Sequence, residues 1–255
     1  MKLRTFYFLL LATACCLADA RAEKLTIAAA ANLTYALDAL DAAYLKANPG
    51  DDITAVIGSS GNLFAQITNG APIDVFLSAD TDYPKKLAAA GAADSATLTT
   101  FATGRLAFWT TKPDLAVADI ATALADPRVK HIAIANPRTT PYGLAARQTL
   151  TALGLWKTAA DKLVIGDNIT QTAQFVETGN ADAGFVALSL LLSSNYKNKG
   201  SYHEVPAALY DPLNQGAVVT QHGAANPAAK RYLAFLKSRD AKQVLERFGY
   251  NVPAE

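Results

Sequence analysis

Ala55-Val56-Ile57-Gly58-Ser59-Ser60-Gly61-Asn62-Leu63-Phe64-Ala65-Gln66-Ile67 reads as a β-branched strand end, a tight turn carrying two hydroxyls, and the opening of an amphipathic helix. Gly58 and Gly61 carry no Cβ, so the backbone there can turn sharply and approach a ligand closely. Ser59 and Ser60 fall where a helix leaves its first N–H groups unpaired, a place that attracts anions. Taken alone, the junction needs no ligand, because Ser60 can serve simply as the cap of its own helix. The same grammar recurs along the chain, and the recurrence decides the fold.

Upstream, Lys24 to Ala30 is a short buried strand, followed by Asn32, Thr34 and a helical pattern that closes at Asn48-Pro49-Gly50. Downstream, Ile73 to Asp80 is a third strand and Asp82 to Ala90 a helix stopped by Gly91. The middle of the chain repeats the pattern. Strands at Leu106–Thr110, His131–Ala135 and Lys162–Ile165 alternate with helices at Asp119–Leu124, Leu144–Leu153 and Thr170–Glu177. Asn180 to Leu188 is a turn and a buried strand, Gly216 to Thr220 another strand, and Pro227–Lys237 and Ala241–Phe248 are closing helices. Strands alternating with helices of about ten residues predict an α/β fold, with mostly parallel sheets flanked by helices on both faces and two halves of similar design.

With 255 residues, 51% hydrophobic and 18% charged, the chain can bury a substantial core in one large domain or two small ones. The net charge of +1 and the lack of basic blocks argue against nucleic acid and anionic membrane surfaces as partners. Residues 1–22 read as a secretory signal peptide: Lys2 and Arg4 precede an apolar run, and Ala18-Asp19-Ala20 or Ala20-Arg21-Ala22 supplies the cleavage site. Both cysteines, Cys15 and Cys16, fall in this segment, so the mature domain has no thiol chemistry. A lipid anchor at Cys15 is disfavoured by Ala12 at the start of the required box. The expected product is an exported protein with a net charge of −1.

Catalytic readings fare poorly. His131, His203 and His222 are widely spaced, and Gly58-Ser59-Ser60-Gly61 is one residue short of a nucleophile elbow. No Walker-type phosphate loop is present, and Asp80 with Asp82 reads as helix capping rather than a carboxylate pair. What recurs is the strand-to-helix junction rich in small polar residues: Ala31-Asn32, Ser59-Ser60, Pro141-Tyr142-Gly143 and Asn168-Ile169-Thr170. Each offers backbone N–H groups and none brings Lys or Arg, which suits an anion held by neutral donors in a desolvated cleft. Spacing alone leaves two readings open: an anion site, or four ordinary capped helices.

Five quoted segments resemble the periplasmic molybdate-binding proteins of ABC transporters. They are Ala28-Ala29-Ala30-Ala31-Asn32, Gly58-Ser59-Ser60-Gly61, Gly70 to Asp80, Asn136-Pro137 with Pro141-Tyr142-Gly143-Leu144-Ala145, and Gly184-Phe185-Val186-Ala187-Leu188. The resemblance implies a two-lobe periplasmic-binding-protein fold (type II), with lobe I over 23–104 and 207–255 and lobe II over 105–206. It implies a monomer that needs no cofactor, performs no catalysis, and carries molybdate or tungstate to a permease in the inner membrane. By the same resemblance, Asn32 with Ala31 and Ser60 with Ser59 contact the anion from lobe I, and Tyr142 and Ile169 supply backbone donors from lobe II. Two positions depart from the enteric members, which have serine at Asn32 and a donor tyrosine at Ala187. Two alternatives stand beside this one: a binding protein for another small oxyanion such as sulfate, and an exported serine hydrolase using Ser59 or Ser60.

Overall fold

The computed structural model describes residues 23–253, so the signal-peptide and Cys15 readings lie outside the described residues. The first part of the chain forms β1 (Lys24–Ala30), α1 (Thr34–Ala47), β2 (Asp52–Gly58), α2 (Ser60–Thr68), β3 (Val75–Ser78), α3 (Asp82–Ala89) and β4 (Thr99–Gly104). The middle forms β5 (Leu106–Thr110), α4 (Ile120–Ala125), β6 (Ile132–Ala135), α5 (Pro141–Ala152), α6 (Trp156–Ala159), β7 (Leu163–Gly166), α7 (Ile169–Glu177), β8 (Ala183–Ala187), α8 (Leu188–Leu191) and β9 (Ser201–Glu204). The return forms β10 (Leu213–Val219), α9 (Pro227–Phe235) and α10 (Arg239–Arg247).

These elements build two five-stranded sheets of matching design, β2-β1-β3-β10-β4 and β7-β6-β8-β5-β9. In each sheet a single strand opposes the rest: β10 in the first and β5 in the second. The other neighbouring pairs run parallel, so the mostly parallel sheets expected from the alternation are present. The reversed strands are the ones that enter each sheet from the other lobe. β4 passes to β5 through Arg105 alone, and β9 returns to β10 through residues 205–212. An ion pair from Arg105 to Glu204, at 3.0 Å, ties the two crossings together.

Interior strands β3, β5, β6 and β8 are buried along their whole length, as strands covered on both faces must be, whereas edge strand β2 is not. One apolar cluster packs α1, α9 and α10 on the first sheet, a second packs α2 and α3 on its other face. A third fills the second lobe and reaches across to Ala30, Ala31 and Ala79.

Several elements differ from the sequence reading. Strand β3 covers only Val75–Ser78: at its start the Asp74 carboxylate accepts from Thr26 N–H at 2.7 Å, and beyond its end Ala79 N–H turns to Ser60 Oγ at 3.1 Å. Helix α5 begins at Pro141, not Leu144: proline at the first helical position loses no hydrogen bond, and its fixed φ suits the helix. Strands β4 and β9 carried no sequence signal strong enough to be assigned; β9 is exposed throughout.

One buried carboxylate gives a pH prediction. Asp41 on α1 accepts from Tyr232 Oη at 2.6 Å, and burial, opposed by that bond and aided by nearby Asp38, pushes its pKa up to about 6. A raised carboxylate pKa means the folded state holds its proton longer than the unfolded chain. This contribution is therefore full below about pH 4 and is lost as pH rises through about 6. The loss is at most about 3 kcal/mol, reduced by solvent screening. Asp41→Asn keeps the acceptor without the charge, so urea unfolding at a series of pH values should show the variant gaining on wild type between pH 4 and 7. A constant difference between the two would contradict the assignment.

Candidate functional site

Four chain segments converge on one cavity between the lobes: Ala30-Ala31-Asn32, Gly58-Ser59-Ser60, Thr140-Pro141-Tyr142 and Asn168-Ile169, with Ala79 completing the wall. It is a tight cavity, and no charged side chain lines it. All six site residues expected from the sequence, Ala31, Asn32, Ser59, Ser60, Tyr142 and Ile169, are brought together there, each no more than 3% exposed. A larger open groove between α1 and α10, lined by Lys46, Asp240, Glu246 and Arg247, lies away from these junctions and carries both signs of charge.

The local hydrogen bonding determines which N–H groups are left for a ligand. At α2, Ser59 rather than Ser60 is the cap: its Oγ accepts from Asn62 N–H at 3.3 Å and its carbonyl from Leu63 N–H at 3.0 Å. Gly61 N–H donates to Thr139 O at 2.8 Å across the cleft, which leaves Ser60 N–H without an intrahelical partner. At α5, Pro141 has no N–H, and Gly143 and Leu144 donate to the Thr140 hydroxyl and carbonyl at 3.1 and 3.0 Å. Tyr142 is the position that remains. At α7, Gln171 and Thr172 donate to the Asn168 side chain and carbonyl at 3.0 and 3.1 Å, leaving Ile169 and Thr170. In the 3₁₀ turn Ala31–Leu33, closed at its end by Thr34 N–H on Ala31 O, Ala31 and Asn32 N–H come too early to have an intrahelical partner.

Side chains add to this set. Ser60 Oγ accepts from Ala79 N–H at 3.1 Å, so its proton is free to donate. Ser59 Oγ, used as an acceptor in the cap, is in the same condition. The result is a lining rich in neutral donors, with positive helix ends and no countercharge. Asp80, next to Ala79, accepts from Tyr83 N–H at 3.1 Å and from Ser78 Oγ at 3.0 Å; it supports α3, as a capping carboxylate would. His131, His203 and His222 are absent from the cavity wall.

The cleft is closed. Besides Gly61 to Thr139, Thr170 Oγ1 donates to Ala31 O at 3.0 Å, Ser189 Oγ to Asn32 O at 2.8 Å, and Tyr83 Oη to Arg138 O at 3.3 Å, all between lobes. Behind the cavity lies a group the sequence reading missed: Gln215 and Tyr250, both bonded to the Asn32 side chain. The available signal was weak, a single glutamine among the apolar residues of β10 and an isolated tyrosine in the tail.

A family profile described as bacterial extracellular solute-binding protein matches residues 25–251. The molybdate-binding protein ModA of Azotobacter vinelandii is 40% identical over 233 residues, 91% of this chain and 92% of that protein. ModA of Rhodobacter capsulatus is 40% identical over 231 residues, 91% of this chain and 89% of that protein. The solved structure of the A. vinelandii periplasmic molybdate-binding protein superimposes with a TM-score of 0.84 at 37% identity, covering 90% of this chain and 100% of that one.

Proposed function

The chain belongs to the bacterial extracellular solute-binding proteins, and from that premise we propose that it captures molybdate, and tungstate in the same way, for delivery to an ABC permease. The observation that carries the reading is the closed cavity on which four helix starts leave N–H groups while no charged side chain lines the wall. Relatives named as molybdate-binding proteins at 40% identity support the choice of anion. In this reading Ser60 gives N–H and Oγ–H, with Ser59 and the amides of Ala31 and Asn32 beside it on lobe I. Tyr142 and Ile169 give N–H groups from lobe II. The periplasm is the site of action and the protein works as a monomer.

Closure follows from differential affinity. The anion meets one half of its donors on the open form and all of them on the closed form, so it draws the population toward closure. Each bond to a charged group is worth about 1.5–3 kcal/mol net. Five or so, after association costs of several kcal/mol, place the dissociation constant in the micromolar to nanomolar range. A donor-rich wall also selects: a protonated oxyanion sets its O–H against an N–H, which disfavours phosphate near neutral pH. Sulfate, fully ionised like molybdate, is separated by size.

The hydrolase reading lacks its chemistry, since both serine hydroxyls accept backbone N–H bonds and no histidine lines the cavity to act as base. A carboxylate ligand is disfavoured because no arginine is there to pair with it.

A thermal-shift panel tests the proposal. At a hundred times the dissociation constant a ligand adds about 2.7 kcal/mol, or roughly 5–10 °C for a chain of this size. Molybdate and tungstate should produce that shift, with sulfate and phosphate at equal concentration far below it. Equal shifts for sulfate and molybdate, or no shift with either, would refute the assignment.

A further inference from the structure

Asn32 has no side-chain donor left for a ligand. Its two Nδ2 protons are committed, to Gln215 Oε1 at 2.7 Å and Tyr250 Oη at 2.8 Å. The amide orientation is fixed from behind: Gln215 Nε2 donates to Leu213 O at 2.7 Å and Ala79 O at 3.2 Å, so its oxygen must face Asn32. A register shift between Gln215 and Gly216 marks a bulge in the β10–β4 ladder at this point, a device that re-aims a side chain. The Asn32 carbonyl is held as well, accepting from Tyr250 Oη at 2.9 Å and from Ser189 Oγ of the other lobe at 2.8 Å.

Two buried polar atoms in this cluster lack a partner: Asn32 Oδ1, an acceptor, and Tyr142 Oη, a donor. They belong to neighbouring groups: a Cβ on Gly104 would meet the Tyr142 hydroxyl and lie 3.1 Å from Gln215 Nε2, and Gln215 is bonded to Asn32; burial raises the Tyr142 hydroxyl's pKa well above the ordinary phenol value. The phenol therefore keeps its proton. Tyr142 thus has two ends. Its N–H faces the cavity, while its ring runs to the hinge, where a Cβ on Gly104 would collide with the hydroxyl.

We propose that Asn32 is a positioning residue whose side chain locks the anion-facing amides of lobe I to both lobes, the lock completed by a hydrogen bond from the Tyr142 hydroxyl to Asn32 Oδ1 when the anion is bound. Gln215 and Tyr250 orient Asn32, Tyr142 joins from lobe II, and none of these four side chains contributes a bond to the anion. The lock acts on release of the ligand, because its interlobe half exists only when the lobes are together.

The proposal rests on molybdate capture, and its test separates the two. Stopped-flow kinetics with molybdate are compared for wild type, Tyr142→Phe and Tyr250→Phe, each of which keeps every backbone donor. Each variant should release molybdate about three- to ten-fold faster at an unchanged association rate, the size of one ordinary hydrogen bond; the free Tyr142→Phe protein should melt at the wild-type temperature, whereas Tyr250→Phe, whose bonds to Asn32 lie within lobe I, should melt lower. In an Asn32→Ala background, Tyr142→Phe should have no further effect. Wild-type release rates in both variants overturn the lock, as does a fall in free-protein melting temperature with binding kinetics untouched. A Tyr142→Phe effect that persists without the Asn32 side chain means that the hydroxyl touches the anion, and also overturns it. A wild-type protein that binds no molybdate fails the functional reading instead.

Discussion

Ser60→Ala should weaken molybdate binding by roughly 10- to 150-fold, the cost of one hydrogen bond to a charged group at about 1.5–3 kcal/mol. The hydroxyl is in an unusual position to donate. It accepts from Ala79 N–H at 3.1 Å on one side, so its proton is not used in that bond and can turn to the cavity. Alanine removes that donor and leaves a buried N–H without its acceptor, while the Ser60 backbone N–H stays. Ser59→Ala is the control. Ser59 is the cap of α2, so its loss should cost about 1 kcal/mol of stability and less of the affinity. Titration calorimetry on both variants measures this, and an Ser60→Ala affinity within two-fold of wild type would remove Ser60 from the donor set.

Gly61→Ala should act through closure rather than through the anion. A Cβ at Gly61 would lie 2.9 Å from Thr139 Cα and 3.0 Å from Thr139 O, on the facing lobe, and 2.7 Å from Tyr83 Oη. The hydroxyl of Tyr83 can give way; the backbone of Thr139 cannot. Gly61 sits in helix α2, where alanine is the better helix former by about 1 kcal/mol. The open form gains and the closed form is strained. Overpacking costs about 1–3 kcal/mol, with the Gly61 to Thr139 bond of 2.8 Å lost as well, so affinity should fall by about 10- to 100-fold or more. Small-angle scattering at saturating molybdate should show an incompletely closed particle while the free protein melts at or above the wild-type temperature. Full closure with wild-type affinity would show that the lobes do not meet at this contact.

What could be read from the residues was mostly local. The strand–helix grammar located the four junctions, because capping residues and small polar turns follow from local backbone needs. Their convergence on one cavity is a property of topology, and only the resemblance to a known family supplied it in advance. The roles within a junction were blurred: Ser60 read as the cap, whereas Ser59 caps and Ser60 turns its hydroxyl to Ala79. Adjacent serines look alike in sequence and differ only once the first helical residue is fixed. Gln215 and Tyr250 were out of reach, since they lie 183 and 218 residues from Asn32 along the chain. Nothing in local periodicity pairs residues so far apart. Strand β9, exposed along its length, lacks the apolar alternation by which half-buried strands are recognised.

Everything proposed above turns on molybdate being held between the lobes by neutral donors. Calorimetric titration of the chain from residue 23 onward with molybdate, and with sulfate under the same conditions, tests it most directly. One molybdate per chain is expected, with a dissociation constant in the micromolar to nanomolar range, and sulfate weaker by orders of magnitude. Absence of molybdate heat, or sulfate bound as tightly as molybdate, would contradict it and return the four junctions to ordinary helix caps.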